Sequence, residues 1–281
     1  VTGVQTCALP ILASKSTRTS GITLYTQGTP NGWKASILLE ELAIDYEMIE
    51  ISFSKNEQKA DWFLAINPNG RIPAMTDHDA DDFHVFESGA MMIYLAEKYG
   101  KFIGNDAKER SEVIQWLMFQ MGGIGPMQGQ ANHFNNYAPE SIPYGKKRYT
   151  DETRRLYEVI EKRLEGRDYL VGAGRGEYSI ADMANWSWMI IHRWSQIDMS
   201  NLPNVKAWLE RIAERPAVQK GVMVPMPSSG VSVLEKNKLS DEEYEAERKK
   251  ASAQTTKMFA FKKVSDEEQE GRKEQHSTGR G

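Results

Sequence analysis

A small α/β domain followed by an all-helical domain is the fold class this sequence predicts, and three observations predict it. Up to Gly100 the apolar residues switch between strand and helix periods in the order βαβαββα. Beyond Gly100 the strand signals stop, and four long helical patterns fill the chain between 108 and 214. Strands and helices segregated in this way make two layers with separate cores, not one interleaved sheet. At 281 residues the chain is longer than one average domain and long enough for a well-buried core.

The elements follow in order. Ile22-Thr23-Leu24-Tyr25-Thr26 alternates like a strand. The turn Pro30-Asn31-Gly32 leads into a helix over 33–44, where Ile37, Leu38 and Leu42 share a face. A second alternating run covers 46–53, a short helix 60–65 follows, and Asn67-Pro68-Asn69-Gly70 is a turn. Two short strands, 72–75 and 84–86, flank an acidic turn at 77–82, and a helix over 88–98 closes the domain. Helices are then expected at 108–120, 147–164, 180–194 and 205–214. The predicted division is a flexible leader (1–21), an α/β domain (22–100), a helical domain (106–226) and a charged, largely flexible tail (227–281) with one amphipathic helix near 241–250. Within the leader, residues 1–11 resemble translated sequencing-adapter read-through and lack the cationic start and apolar stretch of a secretory signal.

Composition narrows the function classes. Hydrophobic residues at 40% and charged residues at 26% are ordinary for a globular protein, and no apolar run approaches the ~20 residues needed to span a bilayer. A net charge of -4 gives no electrostatic reason to expect a nucleic-acid partner. The one cysteine, Cys7, lies in the leader, so the folded part has no disulfide and no cysteine metal site of its own. That suits a reducing, cytoplasmic compartment, and any thiol chemistry must use a thiol brought in from outside. Gly172-Ala173-Gly174-Arg175-Gly176 lacks the Lys and the spacing of a phosphate loop, and the five histidines show no metal-ligand spacing, so no metal is expected. Ser179 with Asp182 reads as an N-capping box, and Trp186, Trp188 and Trp194, at near-helical spacing, read as core.

Three motifs, Thr29-Pro30-Asn31-Gly32, Asn67-Pro68-Asn69-Gly70-Arg71-Ile72-Pro73-Ala74 and Phe86-Glu87-Ser88-Gly89, in that order and spacing, resemble those of glutathione transferases. Within that superfamily they are similar to the bacterial Nu class and the fungal nitrogen-regulator-like group. The resemblance extends through His133-Phe134, Ala138-Pro139, Arg148-Tyr149 and Tyr178-Ser179-Ile180-Ala181-Asp182, covering 22–224. It implies a thioredoxin-like first domain that binds glutathione as cosubstrate and a helical-bundle second domain that shapes the site for a small electrophile, peroxide or disulfide. It also implies a homodimer.

Residue roles follow from this resemblance. Pro73 is expected to carry a cis peptide bond, with the Ile72 backbone pairing with the cysteinyl amide of glutathione. Ser88, at a helix start, offers a hydroxyl and backbone N–H groups to the γ-glutamyl carboxylate, and Glu87 takes the adjacent ammonium. A free cysteine thiol has a pKa of about 8.5, so a hydrogen-bond donor at a helix start raises its thiolate fraction. Asn31 is the candidate donor, assisted by Thr29, with Tyr25 the competing donor. Gln58 and Arg71 are candidates for holding the tripeptide, and Arg148 for reaching a second glutathione or a disulfide. Trp116, Phe119, Gln120 and His133 are candidates for the second-substrate site. The alternative function is a non-catalytic binding or regulatory module that kept the fold.

Overall fold

The computed structural model describes residues 16–259; the expected leader over 1–15 and the tail beyond 259 lie outside them. The first half carries β1 (Ile22–Thr26), α1 (Pro30–Leu42), β2 (Tyr46–Glu50), α2 (Asp61–Ile66), β3 (Ala74–Asp77), β4 (Phe83–Phe86) and α3 (Ser88–Tyr99), which is the predicted order. The four strands form one sheet in the order β2-β1-β3-β4, with β1 parallel to β2, and β3 antiparallel to both β1 and β4. This is a thioredoxin-like mixed sheet. All five residues of β1 are buried because both faces of this central strand are covered. Tyr25 faces one side with Ile51, Phe63, Ile66 and Ala74, while Ile22 and Leu24 join the larger core on the other.

Helix α1 locks the two halves together. Thr29 caps its start, Pro30 occupies the first turn where no amide donor is missed, and Ala43 ends it in the left-handed conformation. Ile37, Leu38 and Leu39 are fully buried, each side chain contributing roughly 1.5–3 kcal/mol of burial. One face of α1 meets the sheet domain; another meets the helical half so closely that a Cβ on Gly221 would fall 2.7 Å from the Cα of Ile37. Ser36 Oγ donates to the Gly221 carbonyl at 2.7 Å, and Arg215 makes a two-pronged bond to Glu41 at 2.6 and 2.8 Å.

The second half contains α4 (Ala107–Phe119), α5 (Gly125–Asn132), α6 (Pro143–Arg163), α7 (Ile180–Met189), α8 (His192–Ser195), α9 (Pro203–Ala213) and α10 (Pro216–Gly221). The capping box at Ser179 and Asp182 is formed in both directions. The predicted helix over 180–194 is split into α7 and α8. Side-chain amides bind carbonyls around the break: Gln128 that of Trp188, Asn237 that of Ile190 and Asn136 that of Trp194. Helix α5, flanked by π-helical turns at Gln120–Ile124 and His133–Tyr137, went unpredicted because its glycines and amides carry no apolar period.

The ends of the described chain are more ordered than their composition predicts. Ser16 bonds to Glu47 and Arg18 pairs with Asp45, stitching 16–21 to the β2 side of the sheet. After Pro227 come α11 (Val233–Lys236) and α12 (Asp241–Phe259), the latter longer than the expected 241–250. Tyr244, Arg248 and Ser252 recur every fourth residue and form its docking stripe: Arg193 sits 4.0 Å over the Tyr244 ring, while Arg248 and Ser252 bond to Asn136. Because these anchors are polar, the segment reads as a solvated charge run. No described helix is long and apolar enough to cross a membrane.

Candidate functional site

The sheet register brings the three sequence motifs to one end of the sheet. Ala74 pairs with Tyr25 on one side and Phe86 on the other, so the residues preceding Ala74, those following Phe86 and those leaving β1 all emerge at that edge. They are Ile72-Pro73, Glu87-Ser88 and the Thr29–Gly32 turn. The Ile72–Pro73 peptide is cis.

The Thr29 turn is held by short contacts. Thr29 Oγ1 accepts from the Gly32 amide at 3.3 Å, leaving its hydroxyl proton to donate elsewhere. The turn closes so tightly that a Cβ on Gly32 would lie 2.1 Å from the Gln27 carbonyl oxygen and 2.5 Å from Thr26 Oγ1. Asn31, in the first turn of α1, accepts with Oδ1 from two donors, Trp188 Nε1 at 2.9 Å and Lys34 Nζ at 3.0 Å. Two donors on one atom fix which end of the amide is oxygen, so Nδ2 is the end that remains to donate.

Lys34 was not singled out in the sequence, and it is the hub of the site. Its side chain is almost wholly buried, 1% exposed, and Nζ donates to Asn31, to Gln120 Oε1 and, at 3.4 Å, to Ser88 Oγ. Its three protons meet only neutral acceptors, Met121 Sδ at 3.7 Å among them. Desolvation lowers its pKa to about 7, with the nearby Glu87 carboxylate working the other way. Ser88 is buried, and its Oγ also lies 3.9 Å from Met121 Sδ.

The start of α3 is strained and uncapped. Glu87 holds φ at 69° and makes no side-chain cap, a conformation costing about 1–3 kcal/mol in a non-glycine residue. Its carbonyl still accepts the first helical bond, from Met91 at 2.9 Å. The orphan amides of that first turn therefore have no side-chain acceptor from their own cap. A helix start with this geometry is an anion cradle.

The remaining candidates divide. Gln58 Nε2 donates to Asn56 at 2.8 Å, and Arg71, exposed, contributes its carbonyl to Asn67 Nδ2 at 2.6 Å. Gln58 lies in the single helical turn Glu57–Lys59 before α2, and Arg71 directly precedes Ile72. Arg148 lies elsewhere, in a cavity of about 500 Å³ with Met127, Tyr144, Tyr149, Glu152 and Arg155. His133 reaches that neighbourhood through Phe134, which it meets edge-on at 5.1 Å and which stacks on Tyr149 at 5.4 Å. Gln120 alone of the second-substrate candidates touches the Lys34 cluster. Trp116 and Phe119 pack edge-on at 5.4 Å, with Arg163 over the Trp116 ring. Tyr25 is fully buried, its ring packed against Trp62 and Phe63 in the small core. Trp188 carries a polar role that its helical spacing did not suggest, whereas Trp186 is core, fully buried with Nε1 donating to the Leu209 carbonyl.

Comparison with known proteins bears on the family and the fold. Residues 20–97 match the glutathione S-transferase N-terminal domain and residues 142–216 the glutathione S-transferase C-terminal domain. The chain is 46% identical over 206 residues to the disulfide-bond oxidoreductase YfcG of Escherichia coli K12, spanning 72% of this chain and 94% of that protein. A glutathione transferase from Burkholderia graminis, solved with two glutathione molecules bound per subunit, is 40% identical, with a TM-score of 0.72 over 75% of this chain and 91% of its own. Another from Pseudomonas putida, with one glutathione disulfide bound per subunit, is 37% identical, with a TM-score of 0.71 over 75% and 94%.

Proposed function

Because the chain belongs to the glutathione S-transferase family, we propose that it is a glutathione-dependent disulfide-bond oxidoreductase. The observation that carries this reading is the Asn31 amide, gripped by its oxygen and left to donate with its nitrogen, one turn from a buried cation and beside the open start of α3. A γ-glutamyl carboxylate suits Ser88 and the α3 amides, an ammonium suits Glu87, and the Ile72 backbone suits the cysteinyl amide. The sulfur then lies at Thr29 and Asn31, where two donors favour the anion. Gln58 and Arg71 flank the glycyl end.

The chemistry is two thiol–disulfide exchanges. A bound glutathione thiolate attacks one sulfur of the substrate disulfide, and the other sulfur leaves as a thiolate that takes up a proton. A second glutathione thiolate attacks the mixed disulfide, releasing oxidised glutathione and the second thiol. Two glutathione thiols are oxidised, one disulfide is reduced, and the electrons balance. Arg148 and its cavity are our candidates for the second tripeptide. Its likeness to chains that bind two glutathiones or one glutathione disulfide supports that choice. Conjugation and peroxide reduction would use the same thiolate. A homodimer in the cytoplasm belongs to the same proposal, supported by the exposed Phe83, Phe86 and Met118 and by the lack of cysteine among the described residues.

The test is turnover of a small disulfide with glutathione by the wild type and Asn31→Ala, alongside retention on glutathione-agarose. The expected result is retained binding with kcat/KM down about tenfold or more, some 1.4 kcal/mol of transition-state stabilisation. Unchanged turnover removes Asn31 from the mechanism, and binding without any turnover in the wild type makes the chain a binding module.

A further inference from the structure

Among the described residues, Lys34 stands out: a cation almost wholly out of solvent with no carboxylate bonded to its nitrogen. Buried ammonium groups are normally paired, because an isolated charge in a protein interior is costly. The elements around it offer little compensation. Its own helix α1 supplies the Asn31 carbonyl, α3 supplies the Ser88 hydroxyl, and the turn after α4 supplies the Gln120 carbonyl and Met121 Sδ at 3.7 Å. From α7, Trp188 meets Asn31 rather than Lys34. The one charged group acting on it is Glu87, whose own side chain is exposed. The cation is satisfied in hydrogen bonds and unsatisfied in charge.

Nothing in the packing of α1 demands that arrangement. A methionine at this position would fill the same space without the desolvation cost. What the lysine adds is directional: its ammonium and the Trp188 indole pull on one atom, Asn31 Oδ1, from two elements that belong to different halves of the chain. An amide polarised at its oxygen by a cation is a stronger donor at its nitrogen.

We propose that Lys34 is a positioning residue for the thiolate: it holds and polarises the Asn31 amide by its oxygen, so that the amide nitrogen is presented to glutathione's sulfur with a buried positive charge behind it. The inference rests on the reading above, in which Asn31 faces the sulfur. Lys34 makes no contact with the ligand in this scheme and acts through Asn31. The arriving thiolate provides the counter-charge that the fold withholds, so ligand and lysine stabilise each other's charged forms.

The experiment is an ultraviolet titration of thiolate absorbance for bound glutathione, with the affinity for S-methylglutathione measured on the same proteins. S-methylglutathione has no ionisable sulfur, so its binding reports the peptide anchors alone. In the wild type the bound thiol should ionise well below its free value. In Lys34→Met its midpoint should rise by about one pH unit, a tenfold loss of thiolate near neutrality, with S-methylglutathione affinity, which senses Lys34 only through its bond to Ser88, falling by much less than tenfold. Lys34→Gln, which keeps a donor but no charge, should fall between the two and decides the matter if the methionine variant does not fold. A midpoint that stays put in either folded variant overturns the proposal, as does a wild-type bound thiol that ionises at its free value. A loss of S-methylglutathione affinity matching the loss of thiolate would make Lys34 a structural prop and overturn it too. Failure of the wild type to bind S-methylglutathione at all would instead sink the underlying reading, and this proposal with it.

Discussion

The clasp between Glu41 and Arg215 joins the end of α1 to the turn before α10, and it should respond asymmetrically to losing one partner or the other. The Glu41 side chain is 7% exposed, whereas that of Arg215 is 31% exposed. Arg215 also lies 3.9 Å over the ring of Tyr178. Removing the arginine, as Arg215→Met, leaves a carboxylate buried without its two-pronged partner and removes the cation from the ring. Stranding a buried charge costs about 3–5 kcal/mol, and the partial exposure of the pair brings our expectation to the lower end, about 3 kcal/mol. Removing the negative charge, as Glu41→Gln, leaves Arg215 half in solvent, still over Tyr178 and still able to donate to an amide oxygen, at a cost of about 1 kcal/mol. Urea denaturation followed by tryptophan fluorescence measures both, and the double variant closes the cycle with a favourable coupling of about 1–2 kcal/mol. If Glu41→Gln cost as much as Arg215→Met, the burial argument would be refuted. If the coupling were zero, the bond itself would not be holding the halves together.

Two further outcomes follow from the site. Gly32→Ala should lose at least about 2–3 kcal/mol, because its Cβ would meet the Gln27 carbonyl at 2.1 Å and backbone must move to relieve it; a melting temperature equal to the wild type's, with glutathione-agarose retention intact, would contradict this. The second outcome concerns pH. Lys34 has a folded pKa of about 7 against an ordinary 10.5, so between those values the unfolded chain binds the extra proton and stability rises with pH. Below the lower value both states are charged and the full penalty persists; above the upper one both are neutral and it vanishes. Relative to Lys34→Met, the unliganded wild type should therefore gain up to about 1.4 kcal/mol per pH unit above neutrality. Parallel stability curves for the two proteins from pH 7 to 9 would show that Lys34 does not change its protonation on folding.

The order of elements in the first half was legible because each one repeats its apolar residues at its own period. Strand β1 was readable to the residue from Ile22 to Thr26, and so was the capping box that starts α7 at Ser179. Helix α5 was not, since Gly125, Gly129 and Asn132 make a helix only where neighbouring elements supply the packing and side chains such as Gln128 and Asn136 supply the bonds. The same reason hid the docking of α12. A stripe of Tyr244, Arg248 and Ser252 has no hydrophobic signature, and its partners Arg193 and Asn136 lie far away in sequence.

The candidate site divides along the same line between local and long-range information. Thr29, Asn31, Glu87 and Ser88 are local punctuation, a turn and two helix starts, and motif spacing is enough to mark them. Lys34 and Trp188 are not punctuation. A lysine on a helix is ordinary, and only the packing of α3 and the turn after α4 against α1 turns it into a buried cation. Trp188 reads as one more core ring until its indole is seen to cross between the halves to Asn31. Both hidden residues act on a single atom, Asn31 Oδ1, and both depend on the two halves being docked. The donor we propose for the sulfur is thus a product of the interface rather than of the first domain alone. Loosening the clasp at Glu41 and Arg215 should then weaken the chemistry at Asn31 even though neither residue approaches the ligand.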